Sequence, residues 1–302
     1  MFGNLTRYIA LTQFLSQGTV SLSAAPKKLA FQGVPGAYSH LACQNFYPQA
    51  TAIPFASFDD AMAAVESGAV DGALIPIENS TAGRVAGVHL LLHSNGLSIY
   101  AEHFLAVRHQ LLGLANSQLA DLQQVFSHPQ GLAQCHGFLR EHQLKPQAHA
   151  DTAGAAEDVA RWQDPTKAAI ASTLAADIYG LKILAKDIQD EDHNTTRFVL
   201  LQPNHLPHPI IEQPTITSLF FRVRNLPAAL FKALGGFATN GINLLKIESF
   251  LEDGQFVSAL FYLEALADPA TPAMQLALEE LAFFSDRITH LGHYPAAPER
   301  SL

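Results

Sequence analysis

The chain has 302 residues, 48% hydrophobic and 15% charged, with a formal net charge of −9. That composition is too apolar for a disordered chain, and at ~100–200 residues per domain the length predicts two or three globular domains. The acidic balance argues against a nucleic-acid or anionic-membrane surface as the main partner. No apolar run approaches the ~18–20 residues of a membrane span. Two cysteines, Cys43 and Cys135, are too few for a disulfide scaffold, which points to reduced thiols and a cytoplasmic protein.

Within the leader, 8–22 is mildly apolar and Ala24-Ala25 resembles a cleavage site. Gln13, Ser16, Gln17 and Gly18 interrupt it, however, and only Arg7 charges its front. An N-terminal extension over 1–28 is therefore expected rather than a secretory signal. Residues 28–32 then read as a strand entering the turn Gly33-Val34-Pro35-Gly36, and 37–46 as a helix. A helix over 57–67 carries Phe58, Met62 and Val65 on one face, and 72–76 is a short buried strand. Period-two character in Ile99, Ala101, His103 and Leu105 makes 97–108 extended. Val125-Phe126 is a strand ahead of His128-Pro129-Gln130, and a helix follows over 131–142. Helices over 153–162 and 173–179 flank a strand at 168–171, and a strand at 197–201 closes the series. Such alternation implies an α/β architecture with largely parallel sheets and binding groups at the carboxyl ends of strands.

The segment 204–214, NHLPHPIIEQP, holds Pro207, Pro209 and Pro214 and reads as a linker. Beyond it come a strand at 218–223 and a helix facing the core with Leu226, Ala229, Leu230, Ala233, Leu234 and Phe237. Strands at 243–250 and 256–263 flank the hairpin signal Glu252-Asp253-Gly254. Met274, Ala277, Leu278 and Leu281 mark a second helix, and 287–291 a last strand. The order βαββαβ is the ferredoxin-like unit, covered on one face only, so a homodimer or homotetramer through it is expected.

The 14 histidines invite a metal reading. His89 and His93 stand at helical spacing, but Leu90-Leu91-Leu92 between them lacks the glutamate of a zinc hydrolase helix, so no metal is expected. Gly33-Val34-Pro35-Gly36 is not a phosphate-binding loop, because Pro35 removes an N–H that a phosphate would use. Clusters just beyond short strands are more informative. They are Gly36-Ala37-Tyr38-Ser39-His40, Pro76-Ile77-Glu78-Asn79-Ser80-Thr81-Ala82-Gly83, Ser127-His128-Pro129-Gln130 with Gln134, and Asn194-Thr195-Thr196-Arg197-Phe198. Rich in hydroxyls and amides and poor in carboxylates, they suit a small anion; each alone is also an ordinary turn or helix cap.

The strings GVPGAYSH (33–40), IPIENSTAGRV (75–85), SHPQGLAQC (127–135), DTAGAA (151–156), AAIAS (168–172) and NTTRFVLL (194–201) stand in one order across 29–203. With them this segment closely resembles prephenate dehydratase, and 215–295 resembles an ACT regulatory domain. The resemblance implies a fold like type II periplasmic binding proteins, with lobes of about 29–105 plus 190–203 and 106–189. It implies Thr196, Asn79, Ser127 and Gln134 as catalytic residues. Arg197 follows as a carboxylate partner, and Ser80, Thr81, Thr152, Tyr38 and Ser39 as substrate-binding residues. Glu78 is as much a structural carboxylate as a catalytic one.

The implied reaction removes the ring carboxylate of prephenate as CO₂ and its 4-hydroxyl as water, giving phenylpyruvate without a metal or organic cofactor. Arogenate is the alternative substrate, and a non-catalytic binding protein for a small anion or amino acid the alternative class. The ACT resemblance implies L-phenylalanine as effector, bound at a dimer interface near Asn225, Leu226, Ala228, Ala229, Asn240, Asn243, Leu244 and Glu248. Ala228 replaces the usual glycine of that pattern, and Phe250-Leu251 replaces its usual Arg-Pro.

Overall fold

The computed structural model describes residues 25–208, 211, 214–251 and 258–300. Most of the expected extension, the Glu252-Asp253-Gly254 turn and Phe256 lie outside the described residues. Two compact units emerge: one of 25–88 and 103–199, the other of 89–102 with 200 onward. The chain therefore crosses between units at 88/89, 102/103 and 199/200, and the 204–214 segment lies within the second unit.

In the first unit, β1 (Lys28–Gln32) leads through the glycine turn into α1 (Tyr38–Phe46). β2 (Thr51–Phe55), α2 (Phe58–Glu66), β3 (Gly72–Asn79) and the short β4 (Gly83–Arg84) follow. Leu29, Ala30 and Phe31 are wholly buried, as a strand covered on both faces requires. α2 begins where expected: Ser57 Oγ accepts from the Asp60 amide at 3.0 Å, and Asp59 and Asp60 occupy the positive end of the helix. α3 (Val88–Ser94) and the first half of β5 (Leu97–Ala106) belong to the second unit, before the chain returns at His103.

The first unit then builds β6 (Gln110–Gly113), β7 (Gln124–Ser127), α4 (Pro129–Gln134), α5 (His136–Glu141) and β8 (Lys145–Ala148). α6 (Thr152–Trp162), β9 (Lys167–Ala171), α7 (Thr173–Tyr179), β10 (Lys182–Ala185) and β11 (Thr195–Pro203) complete it, β11 ending in the second unit. One sheet has the order β2-β1-β3-β11-β5 with β4 on β3; another has β10-β6-β9-β7-β8. β1 runs parallel to β2 and β3, and β7 to β8 and β9, but β6 is antiparallel to β9 and β10. The sheets are thus mixed rather than largely parallel.

β2 and β8 carry Pro54 and Pro146, which argue against strands in the sequence; both strands lie at sheet edges, where a missing N–H is tolerated. The helix expected over 131–142 is broken at Cys135. There the Gln134 carbonyl accepts from the Asp190 amide at 2.7 Å, and the Gly137 amide donates to Asp190 Oδ1 at 3.0 Å. A side chain at 137 would put its Cβ 2.7 Å from that oxygen, so the carboxylate would have to shift to make room for it.

The second unit continues with β12 (Thr215–Val223), α8 (Ala229–Thr239), β13 (Leu244–Leu251), β14 (Ser258–Leu266), α9 (Pro272–Phe284) and β15 (Ser285–Pro295). Its antiparallel sheet has the order β13-β14-β12-β15, the topology of a ferredoxin-like unit. Leu219, Phe221, Ala233, Phe237, Met274, Leu278 and Leu281 form the core between sheet and helices. His89 and His93 of α3 stack on aromatic rings, His89 on Phe250 and Tyr262 and His93 on Phe220. The C-terminal segment is pinned to β5: Arg300 donates to Glu102 Oε1 at 2.9 Å and Oε2 at 2.7 Å, and to Glu264 Oε2 at 3.2 Å.

Candidate active site

The site assembles from residues far apart in the chain, all within the first unit. β3 runs on past Pro76 to Asn79, and its pairing with β1 is confined to Leu29↔Gly72 and Ala30↔Ala73. Pro76 therefore lies beyond the β1 ladder, and its missing N–H costs no bond there. Successive side chains on a strand point to opposite faces. Asn79 thus faces Thr196 across β3 and β11, its Nδ2 donating to Thr196 Oγ1 at 3.0 Å and to Asn194 Oδ1 at 2.8 Å. The preceding and following residues pair on the other face, where Arg197 Nη1 lies 3.8 Å from Glu78 Oε2.

Asn79 Oδ1 accepts the Thr81 amide at 3.1 Å, the Ala82 amide at 2.9 Å and the Thr81 hydroxyl at 2.8 Å. Gln134 Nε2 reaches Thr81 Oγ1 at 3.0 Å from the end of α4, and Gln134 Oε1 lies 2.8 Å from His109 Nε2. His109 Nδ1 lies 2.7 Å from the Tyr38 hydroxyl, which is also 3.1 Å from the Arg108 carbonyl. Ser172 Oγ and Tyr179 OH donate to the carbonyls of Gly36 and Pro35 at 2.6 and 2.8 Å, joining α7 to the glycine turn. The break at Cys135 leaves Gln134 at the end of α4, aimed at this cluster.

Asn79, Thr196, Thr81, Gln134 and Tyr38 are therefore linked in one network. Ser127 and Thr152 adjoin it: a Cβ on Gly131 would lie 3.0 Å from Ser127 Oγ, 3.6 Å from Thr152 Cγ2 and 3.7 Å from His109 Cε1. Ser127 is wholly buried and donates to the Ile170 carbonyl at 2.7 Å. Ser80 instead ties β3 to β11, donating to the His193 carbonyl at 2.7 Å and accepting the Thr195 amide at 2.9 Å. Ser39 is buried in α1. Arg197, expected beside the substrate, is buried on the face away from Thr196. Strand alternation is the reason.

His109 carries network bonds that the sequence reading did not single out, and Asn194, named there only within its cluster, accepts from Asn79. The signal for His109 was the polar run Arg108-His109-Gln110 between Val107 and Leu111, of which His109 and Gln110 are 2% exposed. Such buried polar groups require partners. Burial lowers the pKa of His109, and the bond to Gln134 opposes that fall. Burial also holds the Tyr38 hydroxyl well above its ordinary range, with Cys135 and Asp187 adding to the effect. The network thus consists of neutral groups. It can orient an anion, or hand a hydrogen bond to a leaving oxygen, without carrying charge of its own.

The residues 225–229 and 240–244 flank α8 at its two ends, about 16 Å apart at 1.5 Å per residue. Leu226 is exposed, Ala229 is buried, Asn240 Nδ2 donates to the Gly236 carbonyl at 2.7 Å, and the Asn243 carbonyl accepts from Leu266. On β13, Lys246 Nζ pairs with Glu248 Oε1 at 2.9 Å. Leu244 begins the same strand.

The fold is a mixed α/β one shared with prephenate dehydratases of known structure. One of them, from Arthrobacter aurescens and solved in complex with L-Phe, superposes with a TM-score of 0.82 at 27% identity, covering 91% of this chain and 92% of that one. Residues 29–205 match the family model described as prephenate dehydratase, and the chain belongs to that family. A bifunctional N-acyl-homoserine lactone acylase/prephenate dehydratase of Komagataeibacter europaeus is 45% identical over 274 residues, 90% of this chain and 97% of the relative. A chloroplastic arogenate dehydratase/prephenate dehydratase 2 of Arabidopsis thaliana is 42% identical over 290 residues, 93% of this chain and 76% of the relative. Among the described residues no helix is long and apolar enough to cross a membrane.

Proposed function

We propose that this chain converts prephenate to phenylpyruvate, releasing CO₂ and water, with 29–203 as the catalytic domain and 215–295 as an ACT regulatory domain. The observation that carries the reading is the hydrogen bond from Asn79 to Thr196 inside a neutral network that also holds Gln134 and Thr81. The ring carboxylate leaves as CO₂, and its C–C electron pair aromatises the ring. The C–O bond breaks, and the departing hydroxide takes up a proton to become water. Thr196 donates a hydrogen bond to that oxygen as its charge develops. Asn79 and Gln134 orient the substrate, Ser127, buried and bonded to the Ile170 carbonyl, ties β7 to β9, and Arg197 with Glu78 braces β3 against β11.

L-phenylalanine regulates the enzyme through the second unit. With 225–229 and 240–244 at opposite ends of α8, an effector that touches both needs a second copy of the chain, so the active form is a homodimer or a homotetramer of such dimers in the cytoplasm. Arogenate is the second reading of the substrate, favoured by the plant relative's name.

The test is an assay of purified protein with prephenate and with arogenate, followed by phenylpyruvate and phenylalanine, each with and without L-phenylalanine. A third arm offers an N-acyl-homoserine lactone, the acylase substrate in the Komagataeibacter relative's name. No turnover of either cyclohexadiene acid overturns the reading, and no response to millimolar L-phenylalanine removes the effector.

A further inference from the structure

Two backbone amides set the polarity of the network. The Thr81 and Ala82 N–H groups both point at Asn79 Oδ1, so that atom is the carbonyl oxygen and Asn79 Nδ2 faces Thr196. A carbonyl oxygen only accepts, so the Thr81 hydroxyl spends its proton on Asn79 and can only accept from Gln134. The NH₂ of Gln134 therefore faces Thr81, and its oxygen faces His109 Nε2, which must carry a hydrogen. In a neutral ring Nδ1 is then an acceptor, and the single Tyr38 hydroxyl proton goes to it at 2.7 Å rather than to the more distant Arg108 carbonyl at 3.1 Å.

Resting on the dehydratase reading above, we infer that His109, held as the Nε2–H tautomer between Tyr38 and Gln134, is a positioning residue for Thr196. Every donor in the run Tyr38, His109, Gln134, Thr81, Asn79 points the same way, and bonds so aligned polarise one another. The run ends with Thr196 accepting, which leaves the Thr196 proton available for the departing oxygen. A ring with its hydrogen on Nδ1 would turn the Gln134 amide over. Gln134 oxygen would then draw the Thr81 proton away from Asn79, removing one of the three donors on Asn79 Oδ1. The His109 backbone is fixed independently, its amide donating to Gln189 Oε1 at 2.9 Å and its carbonyl accepting from Ile188 at 2.9 Å. Burial favours the uncharged ring.

Nitrogen-15 NMR of histidine-labelled protein, with the His109 signals assigned by their loss in His109→Gln, should show a pyrrole-like Nε2 and a pyridine-like Nδ1. Steady-state kinetics on the better of prephenate and arogenate supply the second readout. His109→Phe should lower kcat about tenfold, the effect of one misdirected buried hydrogen bond, with KM within about twofold. His109→Gln, whose amide can donate to Gln134, should recover most of that loss. It also serves as the test variant if the Phe protein does not fold. A pyridine-like Nε2, an unchanged kcat in folded His109→Phe, or a loss confined to KM overturns the inference. A wild-type protein inactive on both acids instead overturns the dehydratase reading, and the role of His109 with it.

Discussion

Asn79 Nδ2 donates to Thr196 Oγ1 at 3.0 Å, although the two residues are 117 positions apart. The bond orders the Thr196 hydroxyl without using its proton. Thr196→Ala should therefore lower kcat about 10²–10³-fold, on the order of 2.7–4 kcal/mol, and leave the melting temperature nearly unchanged. Thr196→Ser should keep a measurable part of the rate. Initial rates of phenylpyruvate or phenylalanine formation, paired with thermal melts, check both.

Arg197 and Glu78 sit back to back with Thr196 and Asn79 on the same two strands. Arg197→Met should cost stability, about 1–3 kcal/mol for removing a buried charged donor, while KM for the substrate stays within about twofold. Urea unfolding and KM measured on one preparation separate this from a substrate-carboxylate role, which would raise KM tenfold or more.

Arg300 bridges two carboxylates, Glu102 and Glu264, whose side chains are fully buried. Removing the guanidinium leaves buried negative charge facing buried negative charge. Arg300→Met should destabilise the second unit by about 3–5 kcal/mol. The double variant with Glu102→Gln should regain part of that loss in equilibrium unfolding.

Ala228 is held at φ 60°, in the left-handed region, as the residue before α8. A Cβ there is strained by roughly 1–2 kcal/mol. Ala228→Gly should raise stability by about 1 kcal/mol, the strain relieved being partly offset by the greater freedom of glycine in the unfolded chain. A melting curve that moves down would show that the turn is not strained.

Burial, then the neighbouring His293, lowers His290 from 6.5 to about 4. The same two causes lower His208 to about 3, against an opposing bond to the His293 carbonyl; Tyr100 stacks on the His208 ring. Both rings are neutral in the folded unit, whereas in the unfolded chain they gain protons below 6.5. Stability is therefore intact above that value and is lost as the pH falls from 6.5 toward 4 and 3, by a few kcal/mol per ring at 1.36 kcal/mol per unit. Unfolding free energies between pH 7 and 4 should fall along that course, and less in His290→Phe.

Much of this architecture is legible in the order of residues. Apolar spacing places β1, α1, α2, α6 and α7 to within a residue or two, because each buries one face or both against a neighbour next to it in sequence. The βαββαβ order of the second unit follows from the same periodicities. The strings that carry the family are local too, since turns and caps at strand ends must be written in consecutive residues. What stayed hidden depends on partners distant in the chain. Pro54 and Pro146 lie in strands because those strands are edges, and edge status belongs to the sheet.

The amino-acid order thus determined many of the elements, the family, and the hydroxyl and amide side chains available to a site. Tertiary structure alone decided which of those side chains meet. It turned Arg197 away from Thr196, broke a helix at Cys135 through Asp190, and brought His109 to Gln134. The physical reason is that hydrophobic periodicity acts between neighbours, whereas a hydrogen bond forms wherever the folded chain places a donor against an acceptor.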